Sequence, residues 1–328
     1  MRNYSIDTMR FVACFFIIVV HIGGYPQQGE LFTEVFRGVS RWAVPFFFLV
    51  TGYFLSCQNK RKLLLRLTRI TYITLIFSVL FFIFQLTLNY KDGYSSIISI
   101  IDPFIFIGGS YFHLWFLPSI LIGMISVSYM IENVSENFGI SLSILIIFII
   151  WCVDFFGTAY FSHDIYESTR TILSIPTIYI GYYLYTKKDI IIKSNGNLLI
   201  LCMLASVVFS VIEILIYKSI YGSLANIREL PLFSVITAII ILMLSIRSQS
   251  TKDTVLSRIG RDDSIVIYLI HPLFIVLISK VFRVAHEYNG MAILVITFIV
   301  SISFSLFVKS KFPSIYLFLT GGFIKETK

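Results

Sequence analysis

Residues 290–308 of the chain read GMAILVITFIVSISFSLFV, an apolar run without a charged side chain. An α-helix of about 20 such residues crosses the hydrocarbon core of a bilayer. The whole chain of 328 residues has this character, since 57% of its residues are hydrophobic and 13% are charged, with a mean hydropathy of +0.87. Ordinary globular domains carry about 25% charged residues. The composition therefore excludes a soluble globular fold and predicts a polytopic membrane protein.

Ten segments are long and apolar enough to be interpreted as membrane spans. The first resembles the apolar region of a signal peptide, but it is too long for one and lacks a small-residue cleavage site before Gln27. Alternating strands of about ten residues, which a transmembrane barrel needs, do not occur. We therefore predict an all-α membrane protein, a bundle of about ten transmembrane helices that forms one domain over residues 1–328. The predicted spans are 6–24, 38–57, 67–88, 112–131, 139–157, 170–186, 197–217, 230–247, 264–284 and 290–308.

The distribution of Lys and Arg predicts the orientation of these spans, because cytoplasmic loops of membrane proteins are enriched in both residues. With the N-terminus in the cytoplasm, the cytoplasmic loops hold more than twice as many Lys and Arg residues as the outer loops. We therefore predict that both termini are cytoplasmic. The net charge of +8 then favours membrane lipids of the anionic inner leaflet as partners, and not nucleic acid.

The sequence offers few of the patterns that mark metal or nucleotide sites. Its four Cys residues are widely spaced, which excludes a disulfide framework and a Cys-based zinc site. Its five His residues form no H-x-x-x-H pair, and no phosphate-binding or dinucleotide-binding glycine motif occurs. We therefore predict no metal. Function is sought among the ionisable residues inside the spans, because charges within a bilayer are costly.

The first span contains two such residues, Arg10 and His21, eleven positions apart. At about 100° per residue both lie on one face of a helix, separated by about 16 Å along its axis. An arginine can hold a phosphate through paired hydrogen bonds, and a histidine can act as a general base near neutral pH. Coenzyme A, which joins a phosphate-bearing nucleotide to a long thioester arm, fits this spacing. Spacing alone leaves open that both side chains only reach the two membrane interfaces.

Four stretches resemble the acyltransferase-3 family of membrane acyltransferases. The run IDTMR at 6–10, followed by His21, resembles the Arg-x10-His motif that opens the family's sequences. The run SRWAVPFFFLVTGY at 40–53 is similar to its Phe-Phe-x-x-Ser-Gly segment, with threonine in place of the serine. FHLWFL at 112–117 resembles its His-Leu-Trp-Phe-Leu run, and IYLIHPL at 267–273 is similar to its late Tyr-Leu-x-His-Pro run. The four occur in the family's order, so the resemblance covers essentially the whole chain.

The resemblance implies an activity. Family members transfer an acyl group, most often acetyl, from cytoplasmic acyl-CoA to a hydroxyl of a surface glycan, a glycolipid or a related molecule. We therefore expect an O-acyltransferase of the bacterial cytoplasmic (inner) membrane, with acetyl-CoA as co-substrate and a polysaccharide such as O-antigen, or its lipid-linked precursor, as acceptor. His21 is the candidate general base and Arg10 the candidate anchor for CoA phosphate. Some members carry an added hydrolase-like or racemase domain, and the lack of either here implies the stand-alone type.

Further residues are candidates for binding the acyl-CoA. Thr51 and Gly52 lie near the cytoplasmic end of the second predicted span, where glycine would allow a ligand to approach the backbone. Tight packing of two helices explains Gly52 equally well. Arg66 and Arg69 could collect a polyanionic ligand, although the positive-inside rule also accounts for such charges.

Other residues are candidates for binding the acceptor near the outer side. Arg41 could meet either an acidic acceptor or Glu34, and the sequence does not separate the two. His113 and Trp115 lie at about the depth of His21. An aromatic ring beside polar groups suits the face of a sugar, but an aromatic belt at the membrane interface explains the same residues.

Tyr268 and His271 lie one helical turn apart in the ninth predicted span. A histidine at this depth needs a partner, so acceptor binding and a helix–helix hydrogen bond are both open. We count both residues as candidates for the acceptor site.

A transporter or flippase for a lipid-linked sugar is the main alternative function. Ten spans with buried ionisable residues are compatible with it. Many transporters contain matching pairs of helices broken by Gly or Pro, and the sequence is interpreted as having no such pair. Acyl transfer is therefore the favoured prediction.

Overall fold

The computed structural model describes residues 3–55, 59–88, 110–157, 163–222, 230–284 and 289–324. Within these ranges the chain forms helices and turns, and no strand. The α-helices are α1 (Tyr4–His21), α2 (Glu30–Ser40), α3 (Ala43–Leu55), α4 (Lys60–Leu88), α5 (Phe116–Asn133), α6 (Glu136–Gly157), α7 (His163–Ile172), α8 (Ser174–Thr186), α9 (Lys188–Lys193), α10 (Gly196–Tyr221), α11 (Leu232–Ser248), α12 (Val255–Asp262), α13 (Ser264–Val284), α14 (Gly290–Lys311) and α15 (Pro313–Thr320).

Polar side chains set the start of several helices. Their oxygen atoms accept backbone N–H groups of the first turn, which have no partner inside the helix. The capping residues are Asn3 for α1, Asn195 for α10, Thr254 for α12 and Asn289 for α14.

Eight helical segments in the described ranges are long and apolar enough to cross a membrane: α1, the α2–α3 pair, α4, α5, α6, α10, α13 and α14. The prediction of an all-α polytopic membrane protein is confirmed. Two of the ten predicted spans take a different form. Segment 170–186 is divided between α7 and α8, and segment 230–247 becomes α11, of 17 residues. Residues 56 and 57 of the second predicted span lie outside the described residues.

Two of the predicted spans are broken near a proline. A proline lacks the N–H that would bond the carbonyl four residues earlier, and its ring clashes with that carbonyl. Pro45 therefore separates α2 from α3 around Arg41, and Pro176 ends α7 at Ile172. The sequence is interpreted as having no such breaks in matching halves of the chain, and that interpretation stays a prediction, although two spans are broken within the described residues.

The two helices that follow these breaks, α3 and α8, pack against each other through glycines. Gly52 is buried, and a side chain there would collide with the backbone carbonyl of Ile178. Reciprocally, a side chain at Gly181 would collide with the backbone of Leu49. Absent side chains let the two backbones approach closely, as is common between helices in membranes. This contact joins the two broken spans into one unit.

Buried carboxylates hold the start of α11. Glu213 accepts hydrogen bonds from the indole N–H of Trp151 at 2.7 Å and from the backbone N–H groups of Leu232 at 3.1 Å and Phe233 at 3.3 Å. Asp154 accepts the backbone N–H of Leu230 at 3.1 Å. A negative charge here complements the helix dipole and the unpaired N–H groups of the first turn. Glu213 therefore fixes the position of α11.

The two ends of the described chain lie at the same end of the bundle. Near the start of α1, the backbone N–H of Tyr4 donates to the carbonyl of Ser250 at 3.0 Å. Arg69 donates to the carbonyl of Thr320 at 2.5 Å, and it lines the same cavity as Arg10. The prediction that both termini are cytoplasmic requires the two ends to lie on the same side of the membrane. Which side faces the cytoplasm stays a prediction.

Candidate active site

A first cavity, here called the arginine cavity, lies near the start of α1 and has a volume of about 330 Å³. Four arginines from three helices line it: Arg10, Arg66, Arg69 and Arg261. Thr51 also lines it, with its hydroxyl donating to the carbonyl four residues earlier at 2.9 Å. The carboxylate of Asp262 also lines the cavity. Guanidinium groups in this number suit a ligand with phosphate oxygens.

Arg10 is held in place by neighbours on two helices. Its guanidinium lies 3.4 Å from the carboxylate of Asp7, one turn earlier on α1, and donates to the hydroxyl of Ser264 at 2.9 Å. Asp7 is fully buried, and Gly260 of α12 packs closely on its backbone. Asp7 is therefore a partner of Arg10 and helps to hold its guanidinium at the cavity wall.

Arg261 also lines the arginine cavity, although it was not among the candidates for binding acyl-CoA. It donates to the carboxylate of Asp262 at 2.8 Å. That hydrogen bond raises the pKa of Arg261 above its ordinary value, so the guanidinium stays charged. The polar stretch RDDS at 261–264, directly before an apolar span, was the signal that could have pointed to it.

A second cavity, here called the histidine cavity, lies near the end of α1 and has a volume of about 370 Å³. Its lining includes His21, Arg41 and Trp115, as predicted for a site at this depth. It also includes Arg37 and Arg170, which were not among the candidate residues. The guanidinium of Arg170 lies over the ring of Trp115, 5.2 Å from its centroid, a favourable cation–π arrangement.

Two further histidines pack behind His21. The ring of His271 is stacked on that of His21 with centroids 5.1 Å apart, and His113 lies 5.7 Å from His271. Both are fully buried. Nδ1 of His271 lies 2.6 Å from the carbonyl of Tyr268, and Nε2 of His113 lies 3.2 Å from the carbonyl of Leu269. Because a carbonyl only accepts, these ring nitrogens must carry the proton, which fixes both tautomers.

The proline at position 272 explains the bond of His271. In a regular helix the carbonyl of Tyr268 would accept the N–H of residue 272, but Pro272 has none. His271 therefore donates in its place. Among the described residues, no group of three or more His, Cys, Asp or Glu side chains could hold a metal ion.

Tyr268 separates the two cavities, because it lines both of them. Its side chain is buried, and its hydroxyl donates to the backbone carbonyl of His113. Arg10 and His21 stand on either side of it, about 16 Å apart along the continuous helix α1 by the helical rise. The arrangement places a cavity lined by four arginines and a cavity lined by His21 on the two sides of Tyr268.

The predicted site residues are thus largely brought together. Three predicted residues lie outside the cavity linings. Gly52 packs against α8, and His113 and His271 are fully buried behind His21, so neither histidine lines the histidine cavity.

Arg37, Arg170 and Asp154 line the histidine cavity without having been predicted. Arg37 and Arg170 stand at the ends of predicted spans, as ordinary topological charges do, so only the fold distinguishes them. Asp154 lies inside the predicted span 139–157, and that position was the signal that could have pointed to it.

A family model described as an acyltransferase domain, that of the acyltransferase-3 family, matches residues 3–309. The chain belongs to the acyltransferase-3 family. Two proteins from Enterococcus faecalis named amino-acid racemase are 29% and 30% identical to it over 151 and 169 residues, which are 43% and 49% of this chain and 21% and 22% of theirs. A serine/alanine racemase from Enterococcus gallinarum is 21% identical over 146 residues, or 41% of this chain and 20% of its own length.

The chain thus spans about a fifth of the length of these curated relatives in the matched regions. No solved structure matches it. The family match covers both cavities and most of the helices that line them. Together with the apolar helices, it makes this acyltransferase-3 protein a multi-pass membrane acyltransferase.

Proposed function

We propose that this acyltransferase moves an acyl group, most often acetyl, from acyl-CoA in the arginine cavity to a hydroxyl of an acceptor in the histidine cavity. The acceptor class is a cell-surface polysaccharide, a glycolipid or its lipid-linked precursor, and the protein acts in the bacterial cytoplasmic membrane. The observation that carries the proposal is that Tyr268 lines both cavities while Arg10 and His21 of one helix occupy the two sides.

The arginine cavity supports the donor side of the proposal. Its four arginines match a ligand with several phosphate oxygens, because a guanidinium binds such oxygens in pairs. Its volume, about 330 Å³, lies at the small end of ligand sites, which run from about 300 to 1,000 Å³. The arm of acyl-CoA is slender enough for such a site, while the nucleotide would lie at its mouth.

The histidine cavity supports the acceptor side. In the proposed step, His21 takes the proton of the acceptor hydroxyl as that oxygen attacks the thioester carbonyl. The new C–O bond forms, the C–S bond breaks, and CoA leaves as a thiolate that receives a proton. His271, stacked on His21 and fixed by the carbonyl of Tyr268, orients the imidazole for this task.

Acyl transfer by the full-length protein in proteoliposomes tests the proposal. Radiolabelled acetyl-CoA is supplied with surface glycans from a strain that lacks the protein, and label in the glycan is measured. Removing a general base slows a reaction by about 10²–10⁴-fold, so His21→Asn should lose kcat by that factor with an unchanged unfolding temperature. Normal turnover in His21→Asn would refute its role as base.

Arg10→Lys tests the donor site without leaving Asp7 unpaired. Lysine keeps the positive charge but loses the planar fork, so the KM for acetyl-CoA should rise while the KM for the acceptor stays constant. Transfer that falls with no change in acetyl-CoA binding would contradict the role of Arg10 as anchor.

A transporter for a lipid-linked sugar is the second candidate function, and one observation favours it. The breaks in two spans, at Arg41 and Leu173, line the histidine cavity, and broken helices often form transporter sites. The same proteoliposomes decide between the two functions. A transporter would move acceptor across the bilayer without covalent label, whereas an acyltransferase would leave label on it.

A further inference from the structure

The end of α15 holds one of the arginines that line the arginine cavity. Nε of Arg69, on α4, donates to the carbonyl of Thr320, the last residue of α15, at 2.5 Å. The two terminal nitrogens of Arg69 have no hydrogen-bond or ion-pair partner in the described part of the chain. The guanidinium is therefore anchored at one nitrogen, and its other two nitrogens can donate to a ligand in the cavity.

Helix α4 by itself gives Arg69 little support. From Lys60 to Tyr72 no residue of α4 is buried. The buried residues of this helix, Ile73, Phe77 and Phe81, all lie further along it. A long arginine side chain without close packing keeps much of its rotamer freedom. The contact with α15 is therefore what restricts the guanidinium.

The turn after α15 leaves a carbonyl available for this contact. Gly321 has a φ of +59°, and its N–H donates to the carbonyl of Phe318 at 3.3 Å. The N–H of Gly322 donates to the carbonyl of Leu317 at 2.8 Å. This closure of a helix end satisfies two of its last four carbonyls and leaves that of Thr320 for an outside donor. The negative end of the helix dipole also favours a cation at this place.

A buried carboxylate fixes α15 against the bundle. The hydroxyl of Tyr316 lies 2.8 Å from the carbonyl of Asp262 and 3.1 Å from the carboxylate of Asp263. Asp263 is buried, and it also accepts the hydroxyl of Ser305 at 2.9 Å and the ammonium of Lys309 at 3.2 Å. A buried charge needs such partners. Tyr316 therefore ties α15 to the start of α13 and, through Asp263, to α14.

The same cluster reaches a second arginine of the cavity. The carboxylate of Asp262 lines the arginine cavity and accepts Nε of Arg261 at 2.8 Å. It also lies 3.2 Å from the ammonium of Lys309. Arg69 and Arg261 belong to different helices, α4 and α12. Through α15 and the two neighbouring aspartates, Tyr316 holds these two arginines in a fixed relation.

We propose that α15 is a positioning element of the donor site, in which Tyr316 and the turn at Gly321 hold Arg69 so that its terminal nitrogens bind a phosphate of acyl-CoA. This inference rests on the proposed acyl transfer and deepens its donor side. Tyr316 is a positioning residue, because it acts through Arg69. A guanidinium that is already ordered loses less freedom on binding, so the affinity for the phosphates depends on α15.

Equilibrium dialysis of radiolabelled acetyl-CoA against the full-length protein in lipid nanodiscs tests the inference. Arg69→Gln removes the guanidinium and should weaken binding roughly 10- to 100-fold, as expected for a hydrogen bond to a charged group. Tyr316→Phe removes only the hydroxyl and should weaken binding about 2- to 10-fold. Tyr129→Phe, which changes an exposed tyrosine of α5, is the matched control and should bind as the parent protein does.

A donor without phosphate separates positioning of Arg69 from general damage to the cavity. Acetyl-pantetheine has the same thioester arm as acetyl-CoA but no phosphate, and it is labelled and dialysed in the same way. Its affinity should be equal for the parent protein and for Tyr316→Phe. If Tyr316→Phe weakens binding of both donors by the same factor, the inference is wrong.

A glycine variant tests the turn independently of Tyr316. The Cβ of Gly321→Ala would lie 2.9 Å from Cγ of Arg69, so this variant should displace the arginine and weaken acetyl-CoA binding. Gly222 also has a positive φ, +60°, but a Cβ there would meet nothing within 4 Å. Gly222→Ala is therefore the control for the backbone conformation and should bind with parental affinity. If Tyr316→Phe fails to fold, Gly321→Ala still decides the matter.

The double variant shows whether Tyr316 acts through Arg69. In the Arg69→Gln background, Tyr316→Phe should cause no further loss of acetyl-CoA affinity, because the two residues act as one unit. A further loss as large as that in the parent protein would overturn the inference, as would parental affinity of Tyr316→Phe alone. Both of these results leave acyl transfer intact. A parent protein that does not bind acetyl-CoA would refute the proposed function, and this inference with it.

Discussion

Adding one methyl group at Gly52 should separate two helices of this protein. The Cβ of Gly52→Ala would collide with the backbone carbonyl of Ile178, and a backbone atom cannot swing aside as a side chain can. Helices α3 and α8 would therefore have to move apart. A gap of 0.5–1 Å already forfeits about a quarter to a half of each dispersion contact across it.

The expected loss in the free energy of unfolding is at the upper end of the range known for overpacked sites. Inserting a methylene into a packed core costs about 1–3 kcal/mol, so we expect about 3 kcal/mol here. In a chain of this size, such a loss lowers the unfolding temperature by roughly 5 °C or more. Thermal unfolding of the purified protein in a mild detergent measures it, and acetyl-CoA binding to the same sample shows whether the arginine cavity is affected.

Two further variants control this prediction. A Cβ at Gly24 would meet nothing within 4 Å, so Gly24→Ala should unfold at the parent temperature. The methyl group of Gly181→Ala would collide with Leu49 across the same contact. This variant should lose as much unfolding free energy as Gly52→Ala. Because both substitutions open the same interface, the double variant should lose less unfolding free energy than the sum of the two single losses. Parental unfolding of Gly52→Ala with weakened acetyl-CoA binding would refute the packing argument and make Gly52 a ligand contact.

Three more predictions follow from single contacts. Tyr268→Ala removes the side chain between the two cavities. Water should then reach the thioester, and acetyl-CoA should be hydrolysed in the absence of acceptor. Release of CoA at the parental rate would contradict this. Pro272→Ala restores an N–H for the carbonyl of Tyr268 and competes with His271, so kcat should fall while the unfolding temperature holds or rises; an unchanged kcat would show that this bond has no part in orienting His21. Glu213→Gln weakens the charged cap of α11 and should lower the free energy of unfolding by about 1–2 kcal/mol, and thermal unfolding equal to that of the parent protein would count against it.

Much of the fold could be predicted from the sequence because apolar length is a local property. Segment 290–308 needs no knowledge of its neighbours to be recognised as a span, and it forms α14. Segment 170–186 shows the limit of such reasoning. Its composition is that of a span, but Pro176 has no N–H for the carbonyl of Ile172, so one helix ends at Ile172 and the next begins at Ser174. Hydropathy averaged over a window does not register a single missing N–H.

The candidate site likewise contains residues that the sequence could identify and residues that it could not. Arg10 and His21 could be paired from the sequence, because both lie on one helix and helical periodicity fixes their relation. Arg170 and Arg261 could not, since each lies more than a hundred residues from its nearest partner on α1. Their sequence context is that of topological charges, and their contribution to a cavity depends on how α7 and α12 pack against the rest of the bundle.

The sequence by itself determined that this chain is an all-α membrane protein of the acyltransferase-3 family, with Arg10 and His21 on one face of its first helix. Those conclusions follow from apolar length, helical period and motif order, which are properties of short stretches. Only the tertiary structure decided that Tyr268 stands between two cavities, that Gly52 packs against α8, and which arginines surround each site. These depend on close approach between residues far apart in the chain, which is set by the packing of whole helices and by the prolines that break them.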